Sequence, residues 1–329
     1  MRPLPQPSTL PKLPGQLDEP PSRRPTPPRV FEIGTLVSGT YEVRRVLGEG
    51  GMGQVYEAHD RRLNRRVALK VLLPNIDPAS LEREGEALAA IRHPSVITVH
   101  ALAFHEGTPY LILEHVAGVS LDVYAEERRQ SKHPLTMVEI VEIVVKVTEG
   151  LVAIHKAGIS HRDIKPGNLM LAPGNRIVLM DFGLVLPEIN VRKSKIVAGS
   201  LGYMAPEVLA GKVTPGSGPL ADLYALGAVA FELVTGELPY EAKTAAALLY
   251  RQLNEPLPDL DRLRAGVPST FTELIVKLLA PEPRDRPDGA EAVLWQLRRI
   301  GEPAASQRQV TAFHESGSHP SRPPARKPR

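Results

Sequence analysis

A chain of 329 residues, 42% of them apolar and with a formal charge of +3, exceeds one average domain and can bury a sizeable core. It has no cysteine, which excludes disulfides, thiolate metal sites and a cysteine nucleophile. The positive surplus sits at the ends, +2 over residues 1–35 and +3 over 301–329, leaving −2 between them, so no specific nucleic-acid surface is indicated.

The first thirty residues hold ten prolines. With so few apolar groups they cannot offset the entropy of ordering, and residues 1–37 are read as a disordered, proline-rich segment. Prolines also follow Met1-Arg2 where a secretory signal would be apolar. The longest apolar run, Leu223 to Phe231, has nine residues, about half of what a bilayer requires. A soluble, cytoplasmic protein without a transmembrane segment is expected.

Strand-like segments come next: "YEVRRVLG", "GQVYEAHD", "RRVALKVLL", "VITVHALAF" and "PYLILEH". Between the first two, "LGEGGMGQVY" spaces Gly48, Gly50 and Gly53 as G-x-G-x-x-G. A Rossmann turn with that spacing must open a helix, whereas Gln54 to Ala58 alternates as a strand. The glycines therefore join two antiparallel strands, a flap whose backbone can approach phosphates. Lys70 lies inside the third strand. Either it is an edge lysine reaching water, or it needs a buried acid. In the helix that follows, Leu81, Glu84, Leu88 and Ile91 share a face, and Glu84 is the acid on it. Gly85 weakens that helix by roughly 1 kcal/mol relative to alanine.

Helical sequence then takes over. "TMVEIVEIVVKVTEGLVAIHKAG" opens with Thr136 and Glu139 at capping-box spacing and closes at Gly158. "HRDIKPGN" supplies Asp163, Lys165 and Asn168. The apolar stretches around Pro173-Gly174-Asn175 form a hairpin that returns the chain to "MDFG", so Asn168 and Asp181 meet beside Asp163 and Lys165. Carboxylate and amide oxygens near a phosphate suit Mg²⁺. "ADLYALGAVAFELVTG" is apolar nearly all round and stops at Gly236, as a core helix does. Strands first and helices second give an α+β fold with a small antiparallel sheet lobe carrying one helix and a larger helical lobe. The lobes are placed at 38–118 and 119–300, followed by a disordered basic tail over 301–329.

"LGEGGMGQVYEAHD", "VALKVL", "HRDIKPGNLM", "DFG" and "APE" together resemble eukaryotic-type (Hanks-type) protein kinases, most of all bacterial Ser/Thr kinases of the PknB class, over about residues 41–300. The resemblance implies ATP as phosphoryl donor, Mg²⁺ or Mn²⁺ as the metal, and serine or threonine hydroxyls of proteins as acceptors. It places Gly48, Gly50 and Gly53 over the phosphates. Lys70, paired to Glu84, would sit on the α- and β-phosphates. Asp163 would accept the hydroxyl proton, Lys165 would face the γ-phosphate, and Asn168 and Asp181 would ligate the metal. Leu47, Val55, Ala68 and Met170 would enclose adenine, with Leu113 as gatekeeper and Glu114 and Val116 in the hinge. Glu207 would pair with Arg286, and Asp222 would anchor the catalytic loop; both are read as architecture.

Ser200 stands where the family often has threonine and keeps the hydroxyl. His115, often tyrosine in the family, is read as a surface variant. Between Leu184 and Gly199 the one hydroxyl residue is Ser194. It is read as an autophosphorylation site, because Arg162, next to Asp163, can pair with a phosphate, against a bystander serine in a solvated basic loop. A transient homodimer is one of the partner states expected for the chain. A pseudokinase scaffold would lose Lys70, Asp163 or Asp181, and a small-molecule kinase would lack "APE"; both alternatives are weaker here.

Overall fold

The computed structural model describes residues 29–50, 53–74, 76–182, 201–214 and 216–301. Ser194, Ser200 and residues 1–28 and 302–329 lie outside them.

β1 (Leu36–Val37), β2 (Tyr41–Glu49), β3 (Gly53–Asp60), β4 (Arg65–Leu72), β5 (Val99–His105) and β6 (Thr108–Glu114) form one antiparallel sheet in the order β1-β2-β3-β4-β6-β5. Buried and half-buried positions alternate along β3, the period of a strand with two faces in use. On one face Tyr56, Ala58, Leu69, Val71, Tyr110 and Ile112 gather around Phe31. The sheet curls until Ser38, after β1, reaches the end of β5. There its N–H donates to His105 Nδ1 (3.1 Å) and its hydroxyl to the Phe104 carbonyl (3.0 Å).

Residues 29–37 correct the sequence reading, which assigned them to the disordered segment. Phe31 is 4% exposed and Val37 fully buried, and the Phe31 ring meets those of Tyr56, His105 and Tyr110. Val30, Phe31 and Val37 bring the apolar surface that the prolines before them lack, and the curl of the sheet offers a place to bury it.

α1 (Ala79–Ala89) packs on the other face and buries Leu81, Glu84, Gly85 and Leu88. Ile91, expected on the same helical face, lies past the helix end. It is buried by a turn in which its N–H donates to the Leu88 carbonyl at 3.0 Å. Pro94 disfavours helical backbone at His93, which bars a longer helix, but the chain already leaves the helix after Ala89.

After β7 (Val119–Ser120) and α2 (Leu121–Gln130) the chain is mainly helical. α3 (Met137–Lys156) opens with the expected capping box. The Thr136 hydroxyl accepts from Glu139 N (3.3 Å), and Glu139 Oε2 accepts from Thr136 N (2.7 Å). β8 (Leu169–Ala172) and β9 (Arg176–Leu179) form the hairpin, with β7 alongside. Leu179 is pinned to the segment before β5: its carbonyl accepts from Ile97 N (3.1 Å) and its N–H donates to Ser95 O (2.9 Å). α3 reaches this junction because Gly150 has no Cβ; one there would meet Leu179 Cδ1 at 2.7 Å and Ser95 O at 3.0 Å.

The helix Gly218–Thr235 is buried from Asp222 to Val234 save Glu232, and ends at Gly236 with φ +85°, the left-handed cap that glycine favours. It is long and apolar enough to cross a membrane, but 67% of it is buried in the fold. One apolar core runs from Ala68 and Leu111 in the sheet to Phe271 and Leu297 in the helices.

Candidate active site

Strand register sets the roof of the site. Val55 pairs with Lys70 and Lys70 with Leu111; Glu57 pairs with Ala68 and Ala68 with Leu113. Side chains alternate across a strand, so Val55, Ala68, Lys70 and Leu113 share the face turned to the helical part. Ala68 and Leu113 are buried, Val55, Val116 and Met170 half-buried, and Leu47 exposed.

Lys70 Nζ donates to Glu84 Oε1 at 2.7 Å and lies 3.4 Å from Asp181 Oδ1. Burial works to lower the pKa of Lys70, and the charges of Glu84 and Asp181 more than reverse it. The lysine therefore stays cationic in a place where an unpaired ammonium could not. α1 comes this close because a Cβ on Gly85 would stand 2.7 Å from Leu111 Cδ2, and Leu111 is the residue opposite Lys70.

The three glycines divide by role. A Cβ on Gly53 would run into the Val71 carbonyl oxygen, whereas among the described residues Cβ atoms on Gly48 and Gly50 would meet no atom beyond their chain neighbours closer than 4.0 Å. Gly53 thus serves strand packing. The open sides of Gly48 and Gly50 leave room for a ligand beside the backbone, whose Gly50 N–H donates to the Gly53 carbonyl (2.9 Å).

Below the roof, the Asp163 side chain is an acceptor with two donors. Lys165 Nζ donates to its Oδ2 at 2.8 Å and Asn168 Nδ2 at 2.7 Å. Asn168 Nδ2 also donates to the Asp163 carbonyl (2.8 Å). Its amide nitrogen is thus spent, which leaves its oxygen as the end that could accept or ligate. The Met180 N–H donates to the Asn168 carbonyl at 2.9 Å, closing the hairpin base that carries Asp181. Among the described residues no group of three His, Asp or Glu gathers for a metal. Two hard oxygen donors, from Asn168 and Asp181, fit Mg²⁺, which takes its remaining ligands from phosphate and water.

The loop before Asp163 hangs from the helical core. The N–H groups of His161 and Arg162 each donate to the Asp222 carboxylate at 2.8 Å. His155 Nε2 lies 2.9 Å from the same group, a partner the sequence did not reveal because 67 positions separate them. The buried His161 ring packs on Phe182 with centroids 4.4 Å apart. Arg162 (φ +65°) and Asp181 (φ +51°) hold left-handed backbone, which non-glycine residues adopt only where surroundings impose it.

At the hinge the Glu114 N–H donates to Thr98 O (2.9 Å) and its carboxylate accepts from Arg176 Nη2 (2.6 Å). His115 departs from its reading as a surface variant: its side chain is 7% exposed and its Nε2 lies 3.2 Å from Glu57 Oε2. Glu57 already accepts from Arg45, so the imidazole completes a small polar cluster on the face that Glu57 shares with Ala68. Farther away, the buried Arg286 spends all five N–H groups, two on Glu207 (2.7 and 2.8 Å) and three on the carbonyls of Ala280, Leu220 and Pro281.

The protein kinase domain family matches residues 41–296 of the chain. The chain is similar to the probable serine/threonine-protein kinase PknB of Lactococcus lactis, 29% identical over 276 residues that cover 82% of this chain and 43% of that protein. It is also similar to the serine/threonine-protein kinase PknA of Mycobacterium tuberculosis, 34% identical over 268 residues that cover 77% and 59%. The solved kinase domain of Mycobacterium tuberculosis PknI shares 27% identity and a TM-score of 0.62, covering 82% of this chain and 99% of that one. The chain spans about half the length of the curated relatives it matches.

Proposed function

The chain belongs to the protein kinase family, and from that premise we propose that it transfers the γ-phosphoryl group of Mg-ATP to serine and threonine hydroxyls of proteins in the cytoplasm, where ATP is abundant. The observation that carries this reading is a single juxtaposition. Lys70 touches both Glu84 and Asp181, while Asp163 holds Lys165 and Asn168.

In this reading Lys70, aimed by Glu84, holds the α- and β-phosphates under the backbone of Gly48, Gly50 and Gly53. Leu47, Val55, Ala68 and Met170 enclose adenine, with Leu113, Glu114 and Val116 along its edge. Asp163 takes the proton of the substrate hydroxyl as that oxygen bonds to the γ-phosphorus and the bond to ADP breaks. Lys165 neutralises charge gathering on the transferred group, which is most of what such a reaction asks of a protein. Asn168 and Asp181 would hold Mg²⁺, or Mn²⁺ through the same oxygens; the ion would supply further neutralisation of the phosphates. Ser194 and Ser200 would lie in the loop that presents the acceptor, with Ser194 modified by a second copy of the chain.

The test is to incubate the whole chain with labelled ATP, Mg²⁺ and a generic basic protein, beside Asp163→Asn. The wild type is expected to label the protein at least about a hundredfold faster, the usual worth of a positioned base, and to label itself on the peptide holding Ser194. Nucleotide uptake without transfer would replace the enzyme by a binding scaffold, and label on an added small-molecule acceptor alone would make it a small-molecule kinase.

A further inference from the structure

We propose that the segment Val30–Thr35 is a positioning strap for the glycine hairpin, with Phe31, Gln54 and Tyr56 as its contact residues. The inference rests on the kinase reading for its consequence, although the contact itself does not.

The strap ties both legs of the hairpin. On β2, the Gly34 N–H donates to Val43 O (2.8 Å) and the Val43 N–H donates to Thr35 O (3.0 Å). On β3, the Val30 N–H donates to Gln54 Oε1 (2.9 Å) and the Phe31 N–H to the Tyr56 hydroxyl (3.2 Å). The Tyr56 hydroxyl donates in turn to Gln54 Oε1, so one buried amide oxygen gathers the strap and the strand. Gln54 is fully buried and directly follows Gly53, on the face opposite Val55 and the cleft.

The hairpin needs such an external tie. Its two legs fall out of register between Val43 and Arg45 and again between Val46 and Gly48, and each irregularity removes ladder bonds and bends the strand. Gly53 anchors β3 against β4 through its lack of a Cβ. Gln54, one residue on, pairs with Glu49 and Val71 in the ladder and turns its side chain to the strap side of the sheet. Holding Val43 and Gln54 fixes the two legs that carry the loop, and therefore where Gly48 and Gly50 sit over the cleft. Gln54 and Phe31 are positioning residues and touch no substrate.

Two readouts on the whole chain separate this from the kinase reading. Amide hydrogen exchange without nucleotide reads the strap alone. Phe31→Ala is expected to speed exchange over residues 46–57 at least tenfold while leaving the helix Gly218–Thr235 unchanged. Gln54→Met, which keeps the shape and removes the acceptor, should act in the same direction, and Phe31→Leu should stay near wild type. Equal exchange in wild type, Phe31→Ala and Gln54→Met overturns the proposal whether or not the chain is a kinase. Steady-state kinetics then read the consequence: KM for ATP is expected to rise about fivefold with kcat within about twofold and KM for the protein substrate unchanged. A lowered melting temperature with KM for ATP unmoved would make the strap merely structural and overturn the proposal. A wild type without ATP turnover strikes the kinase reading and leaves exchange to decide the strap.

Discussion

Lys70 shows how far one residue can be read from its neighbours. An ammonium in an apolar strand demanded an acid, and helical spacing picked Glu84; the structure has that pair at 2.7 Å. The left-handed backbone of Arg162 and Asp181 carried no such signal, since tertiary contacts impose it. His115 was misread because its exposure depends on Glu57, 58 residues away. The Lys70–Glu84 pair makes a pH prediction. Burial raises the pKa of Glu84 and Lys70 opposes that rise. Lys70→Met removes the opposition, so the folded-state pKa climbs further above the unfolded value. A carboxyl raised in this way stabilises the fold only at low pH, and that contribution is lost as pH rises through the folded value. Lys70→Met should therefore lose little stability against wild type near pH 5 and about 3–4 kcal/mol more near pH 8, as an uncompensated buried charge does. Urea unfolding at the two pH values checks it, and an equal loss at both would refute the pairing argument.

Elements were legible where a local rule was strong. The Thr136–Glu139 box and the Gly236 cap are written in residue types that suit few other conformations. The end of α1 was less legible: periodicity carried Ile91 onto the helix, whereas the helix ends at Ala89 and the turn that follows buries Ile91. Gly85 reads as a weakness in isolation and becomes a requirement only when Leu111 is packed against it. The α3 cap supplies its own test. Arg128, together with the backbone and hydroxyl of Thr136, holds the Glu139 carboxyl down to about 2. A depressed carboxyl stabilises fully above its unfolded value, about 4.5, and this is lost as pH falls toward the folded one. Glu139→Gln should flatten the fall in thermal midpoint between pH 4.5 and pH 2.5 while lowering the midpoint at neutral pH, because the capping charge is gone. Parallel wild-type and variant curves across that window would show that the cap does not govern acid stability.

At the scale of the whole molecule, the order of strands and helices made two lobes legible, but not how they act as one body. Leu179 bonded to Ser95 and Ile97 joins the hairpin to the sheet, and Asp222 joins the catalytic loop to the core helix. Both connections depend on residues far apart in the chain, which no local pattern encodes. Asp222 is the better place to test the coupling, because its buried carboxylate accepts from His161 and Arg162 and lies beside His155. Arg162 holds a backbone conformation that costs about 1–3 kcal/mol for a non-glycine residue, and those bonds offset that cost. In Asp222→Asn one carboxylate oxygen becomes an NH₂ donor facing N–H donors, so at least one buried N–H loses its acceptor, worth about 1–3 kcal/mol. Stability should fall by that order. The consequence for turnover follows from which half is disturbed: Asp163, Lys165 and Asn168 hang from this loop, whereas Lys70 and the glycines belong to the sheet. We therefore expect kcat to fall roughly tenfold or more, which is about 1.4 kcal/mol of lost transition-state stabilisation, with KM for ATP nearly unchanged. A variant that loses KM and kcat together would mean that the sheet moves with the loop. One that keeps full kcat would mean that the loop holds its shape without the helix beneath it.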